Sequence, residues 1–233
     1  MIQNTTETQA LQRTFRNLMN AFARPGLLGD IEIMGGRGTT DALSGTSNTP
    51  ISANPLPPCF EMVVRTLVDQ AVTYAVRGSR CDEVSRFMAL QTHSHEVPIA
   101  EAQYLLVPDL ANSAYCREVI SQANPGTLIA PEKGATVFVA CSGLAGMRIP
   151  SEDTTDVLQD GVSYRVMIEG PGIKDTHTFF VDRIDWAEAR KARSDEYPCG
   201  IDIILVDEAG HVVAIPRTTT IVEVQKDGAK WDM

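Results

Sequence analysis

Gly200-Ile201-Asp202-Ile203-Ile204-Leu205-Val206 is followed by Asp207-Glu208-Ala209-Gly210 and then by His211-Val212-Val213-Ala214-Ile215-Pro216. Two apolar, β-branched runs meet at a turn that ends in glycine, which predicts a buried β-hairpin over 201–216. The hairpin runs on into Arg217-Thr218-Thr219-Thr220, so it brings an arginine and three hydroxyls to one place. Upstream, Thr136-Val137-Phe138-Val139-Ala140-Cys141 is a near-continuous apolar run, the pattern of a strand covered on both faces and central in its sheet.

Around these two stretches strands and helices alternate. Strands are predicted over 72–76, 102–107, 163–168, 178–181 and 221–224, and helices over 61–69, 82–90, 113–121 and 186–193. Near the amino end, Thr6-Glu7-Thr8-Gln9 has capping-box spacing, and Leu11, Phe15, Leu18, Met19 and Phe22 follow at helical intervals until Pro25-Gly26. Arg13, Arg16, Asn17 and Asn20 occupy the other faces of that helix. Asp30-Ile31-Glu32-Ile33 alternates with period two and predicts a short strand. The expected fold is α/β, one mixed β-sheet flanked by helices, in a single domain over 1–233. Residues 35–58, rich in Gly, Ser, Thr and Pro, read as a mobile loop, and the polar tail 226–233 reads as frayed.

Composition narrows the function classes. Hydrophobic residues at 43% and charged residues at 21% fit a globular chain rather than a disordered one. Twenty basic against thirty acidic residues give a net charge of -10, which repels a polyphosphate backbone at long range, so no nucleic acid partner is expected. Fifteen of the twenty basic residues are Arg, whose guanidinium fork still binds a small oxyanion locally. Met1 to Thr6 has neither a basic nor an apolar segment, and no apolar run approaches the ~18 residues of a membrane span. A cytoplasmic protein with no membrane partner is expected. The five cysteines, at 59, 81, 116, 141 and 199, form no Cys-x-x-Cys pair and predict reduced, mostly buried thiols without an iron-sulfur centre.

Few motifs carry chemistry. His93 and His95 fall in a segment that reads as an exposed loop, and His177 and His211 lack Cys or carboxylate neighbours at zinc spacing, so no metal is expected. Gly35-Gly36-Arg37-Gly38-Thr39-Thr40 lacks the lysine of a P-loop, and no Gly-x-Ser-x-Gly elbow occurs. The best anion-site candidate is Arg217 with Thr218, Thr219 and Thr220, a guanidinium fork beside hydroxyl donors. A second reading has Arg217 paired with Asp202 or Glu223 while the threonines simply suit strand geometry. Asp202, a carboxylate leading into an apolar strand, needs a partner, and a salt bridge is the default.

Several blocks carry a family resemblance. Arg16-Asn17-Leu18-Met19 with Pro25-Gly26, Gly126-Thr127 with Ala130-Pro131-Glu132-Lys133-Gly134-Ala135-Thr136, Gly170-Pro171-Gly172-Ile173, and Gly200-Ile201-Asp202 with Ile215-Pro216-Arg217-Thr218-Thr219 occur in this order. Together they resemble the PhnH family, subunits of the bacterial carbon-phosphorus lyase system. The resemblance implies a fold like the large domain of pyridoxal-phosphate (PLP)-dependent transferases without the cofactor. It also implies a homodimer that joins the G, I and J subunits in a core complex. The implied role is to assist transfer of a phosphonate to the ribose anomeric carbon of a purine nucleoside triphosphate, without being catalytic alone. No cofactor is expected, since none of Lys133, Lys174, Lys191, Lys226 and Lys230 follows a buried strand with a cofactor loop, as a Schiff-base lysine would. Arg16, Asp202, Arg217, Thr218 and Thr219 are the anion- or partner-binding candidates. The alternative is an independent nucleotide- or phosphonate-binding enzyme that uses Arg217 and its threonines.

Overall fold

The computed structural model describes residues 2–31, 54–110, 113–148, 154–155 and 163–227. Helix α1 (Ile2–Ala23) leads into strand β1 (Gly29–Asp30), and α2 (Pro58–Leu67) into β2 (Thr73–Val76) and α3 (Cys81–Thr92). β3 (His95–Glu96) and β4 (Tyr104–Val107) precede α4 (Ser113–Gln122) and β5 (Thr136–Cys141). Next come β6 (Leu144–Met147), β7 (Thr154–Thr155), β8 (Ser163–Glu169) and β9 (His177–Val181). The chain closes with α5 (Asp185–Lys191), β10 (Asp202–Asp207), β11 (His211–Ile215) and β12 (Thr220–Asp227).

A seven-stranded mixed sheet in the order β1-β11-β10-β5-β4-β2-β3 forms the centre. Its strands β10, β5, β4, β2 and β3 are mutually parallel, while β11 pairs antiparallel with both β10 and β1. The apolar run of β5 has the predicted cause. Val137, Val139 and Cys141 enter one core cluster and Phe138 and Ala140 the other, so both faces of the strand are covered. α4 and α5 cover the first face through Cys116, Val119, Ile120, Trp186 and Ala187, and α1, α2 and α3 cover the second. On that second face Phe138 stacks on Tyr104 at 5.6 Å between ring centroids and meets Phe60 edge-on at 6.3 Å.

The hairpin of β10 and β11 pairs Ile203 with Ile215 and Val206 with Val212. Gly210 closes its turn at φ 96°, and a Cβ there would lie 2.9 Å from the Ile31 carbonyl oxygen, so the position demands glycine.

Several expectations need correction. The strands predicted over 163–168, 178–181 and 221–224 do not join the central sheet. They belong to a second, five-stranded antiparallel sheet in the order β12-β8-β9-β6-β7. Its Val166, Ile168, Phe179, Val181 and Ile221 pack into the cluster that holds Val137 and Trp186. β6 escaped prediction because Leu144-Ala145-Gly146-Met147 offers only four residues, one of them glycine. α1 begins at Ile2, so the capping-box residues lie inside the helix rather than at its start. The strand expected over 30–33 is observed at Gly29–Asp30, and residues 32–33 lie outside the described residues. So does most of the loop read over 35–58, where the described chain resumes at 54 and α2 starts at Pro58. The tail read as frayed from 226 is strand through Asp227, and 228–233 lie outside the described residues. His93 takes a left-handed conformation, φ 56°, that ends α3, and His95 opens β3 rather than sitting in a loop. Among the described residues no helix is long and apolar enough to cross a membrane.

Candidate anion-binding cleft

The register of β10 and β11 returns the chain beside its own entry point, which places Arg217 against Asp202. Asp202 Oδ1 accepts from the Arg217 backbone N–H at 2.7 Å and from Nε at 3.3 Å, and Oδ2 accepts from Nη2 at 2.6 Å. Nη1 donates to the Pro131 carbonyl, and Nη2 reaches the Gly134 carbonyl at 3.5 Å. The guanidinium thus fastens the turn at Pro131–Lys133 onto the hairpin. Gly134 permits the approach, since a Cβ there would lie 2.4 Å from the Gly200 carbonyl oxygen and 2.7 Å from Arg217 Nη1. Of the two partners considered for Arg217, the geometry selects Asp202. Glu223 pairs instead with Arg165 at 3.6 Å.

Arg190, near the end of α5, is held differently. Nη1 donates to the carbonyls of Ile201 and Ile215 at 3.3 and 3.0 Å, and Nη2 to those of Pro216 and Thr219 at 2.6 and 3.0 Å. Among the described residues four carbonyls and no carboxylate receive this cation. Burial pulls its pKa down to about 10, against the opposing pull of Asp202 and Asp195. Arg193 pairs with Asp195 at 2.6 Å and donates to the carbonyls of Ile120 and Ala123, which are left over at the end of α4.

Arg190, Arg193, Asp195 and Arg217 border a cleft of about 340 Å³ lined also by Lys191, Cys199, Thr219 and Thr220. A chain of net charge -10 therefore carries a cleft with four cations on its walls, Arg190, Lys191, Arg193 and Arg217. Thr219 is 5% exposed, and its Oγ1 has no hydrogen-bond partner among the described residues. Of the candidates read from the sequence, Arg217 and Thr219 line the cleft, and Asp202 is joined to it through its pair with Arg217. Thr218 is exposed and does not line the cleft. Arg16 is exposed on α1, which packs on the opposite face of the central sheet from α5. The sequence reading missed Arg190, Lys191 and Arg193. Their signal was Arg190-Lys191-Ala192-Arg193, the charged end of the helix predicted over 186–193.

A second polar cluster lies at the other end of the hairpin. His211 Nδ1 donates to Asp207 Oδ2 at 2.8 Å, and its Nε2 accepts from Arg148 Nη2 at 2.8 Å. His211, isolated in sequence, is thus paired in space. Asp207 also accepts from the backbone N–H groups of Leu144 and His211, so it ties β6 to the hairpin turn. Between the sheets, buried Arg183 forms a two-pronged pair with Asp185 at 2.8 and 2.5 Å and donates to the carbonyls of Asp109 and Ala140. Among the described residues no group of three or more His, Cys, Asp or Glu side chains is placed to hold a metal ion. The five cysteines are free thiols, three of them buried.

No curated protein matches the chain. The family described as bacterial phosphonate metabolism protein (PhnH) matches residues 3–222, which include both halves of the hairpin, all of α5 and every residue lining the cleft. The chain therefore belongs to the PhnH family of bacterial phosphonate metabolism proteins.

Proposed function

We propose that this chain is a cytoplasmic subunit of the carbon-phosphorus lyase core complex. There it assists transfer of a phosphonate to the ribose anomeric carbon of a purine nucleoside triphosphate, in company with the G, I and J subunits. The observation that carries this reading is the family match over residues 3–222. The cationic cleft is consistent with it, because phosphonates and nucleoside triphosphates are both oxyanions. The same reading takes the chain to be a single domain, a homodimer, and similar in fold to the large domain of PLP-dependent transferases without their cofactor.

Co-purification of the tagged chain with co-expressed G, I and J subunits tests the proposal, followed by phosphonate consumption with and without this chain. Retention of the chain and loss of consumption on its omission are the expected results. Partners that are soluble yet fail to retain it would overturn the reading. Light scattering on the isolated chain at micromolar concentration should return the mass of two copies.

A second reading, an independent nucleotide- or phosphonate-binding enzyme, draws on the cleft alone. It requires turnover by the isolated chain that is lost in Arg217→Ala. The Arg217 clasp on Asp202, Pro131 and Gly134 weakens that reading, because most of the guanidinium donors are already engaged.

A further inference from the structure

The geometry points to the cleft between α5 and residues 216–221 as a receptor for one dianionic tetrahedral group, a phosphonate or a phosphate monoester. Lys191, Arg193, Thr219 and Thr220 would face the ligand, and Arg190 supplies the positive charge behind them. The choice of phosphorus oxyanion rests on the phosphonate-linked reading above. The site itself rests on three observations.

The first is charge. Of the four cations lining the cleft, Arg193 is paired with Asp195 and Arg217 with Asp202. Arg190 and Lys191 have no carboxylate partner among the described residues, which leaves an excess of two positive charges. That excess equals the charge of a fully ionised phosphonate. An enclosed cation satisfied only by carbonyl dipoles is held at a cost, and an anion lodged beside it removes that cost.

The second is the hydroxyl of Thr219. It is buried and has no partner among the described residues, and the residue that carries it lines the cleft, so a turn of the side chain toward the cleft would give it an acceptor in an oxygen that arrives from outside the chain. The threonine is also locked in place, since its backbone carbonyl accepts from Arg190 at 3.0 Å and its N–H donates to Pro216 at 2.9 Å. The third is size. About 340 Å³ lies at the low end of small-molecule pockets, which suits one tetrahedral group with a short organic substituent. Arg217 is then a positioning residue that fixes the wall, while Lys191, Arg193, Thr219 and Thr220 meet the ligand.

Isothermal titration of the full chain with methylphosphonate, and separately with ribose 5-phosphate, at constant ionic strength tests the site. Saturable binding of at least one probe, one per chain, is expected. Lys191→Glu, an exposed change, and Thr219→Val, which keeps the shape, should each weaken it about tenfold or more, and Thr219→Ser should restore most of the loss. Tighter binding of methylphosphonate than of ribose 5-phosphate would assign the free phosphonate as ligand, and the reverse order would assign a phosphorylated sugar. Absence of saturable heat for both probes at millimolar concentration overturns the site, as does binding that neither variant weakens. A chain that still assembles with G, I and J but binds neither probe would remove the cleft and leave the subunit reading standing.

Discussion

Arg183 lies just before the short helix α5 and Arg190 near its end, yet the protein treats their charges in opposite ways. Arg183 meets the Asp185 carboxylate through two parallel bonds. Its pKa is pulled down by burial, but the hydrogen bonds and charge of Asp185 outweigh this and leave it raised overall. Arg190 meets only backbone carbonyls, and burial wins, so its pKa falls. A buried cation closed by its own carboxylate is a fastening between elements. One closed only by dipoles keeps a field that reaches into the neighbouring cleft.

The comparison can be broken by substitution. Arg183→Met strands the buried Asp185 carboxylate and should lower unfolding free energy by about 3–5 kcal/mol in urea titrations. Adding Asp185→Leu to that variant should restore most of the loss, because no charge then remains unpaired. Arg190→Met strands no carboxylate and removes a partly enclosed charge, so its cost should stay at about 1–3 kcal/mol, set by the carbonyls that lose the guanidinium as donor, Pro216 excepted because it keeps the Thr219 N–H. Equal losses for the two single variants would erase the distinction.

The smallest effect concerns pH. Cys116, beside the Arg183 pair, has its thiol pKa raised by burial first and then by Asp185, with Arg183 pulling the other way. A thiol raised in the folded state ionises first in the unfolded chain, so the unfolded state is favoured as pH climbs past the ordinary thiol value of 9.0. Stability should therefore decline above that pH, by about 1 kcal/mol at pH 9.5 from this thiol, and Cys116→Ala should flatten the decline. An unchanged slope in Cys116→Ala would show that Cys116 titrates alike in both states.

Much of the central sheet could be read from the chain. The apolar runs of β5 and β10 signalled strands covered on both sides, and the turn ending in Gly210 fixed the hairpin. The separate sheet of β6 to β9 with β12 could not be read, because alternation identifies a strand but not the strand it pairs with. The cleft was half legible. Asp202 and Arg217 announced each other as an acid and a base at the two strand ends that one hairpin brings together. Arg190 and Lys191 looked like solvated helix surface, since their role depends on carbonyls contributed by residues 201–219, which only tertiary packing brings near. Thr218 and Thr219 are chemically alike in sequence. Their divergence appears only in the fold, where Thr218 sits exposed in a turn and Thr219 is buried in the wall of the cleft.

β10 enters between β5 and β11, pairing Asp202 with Thr136 and Asp207 with Cys141 in parallel. During synthesis, β5 therefore leaves the ribosome more than sixty residues ahead of the strand that covers its edge. Until residues 202–207 emerge, a six-residue apolar strand keeps one row of N–H and C=O groups open, the arrangement most prone to pairing with a stranger. Chains stalled or cut before Asp202 should then be lost to aggregation, and the yield of intact protein becomes a matter of how quickly the last strands arrive.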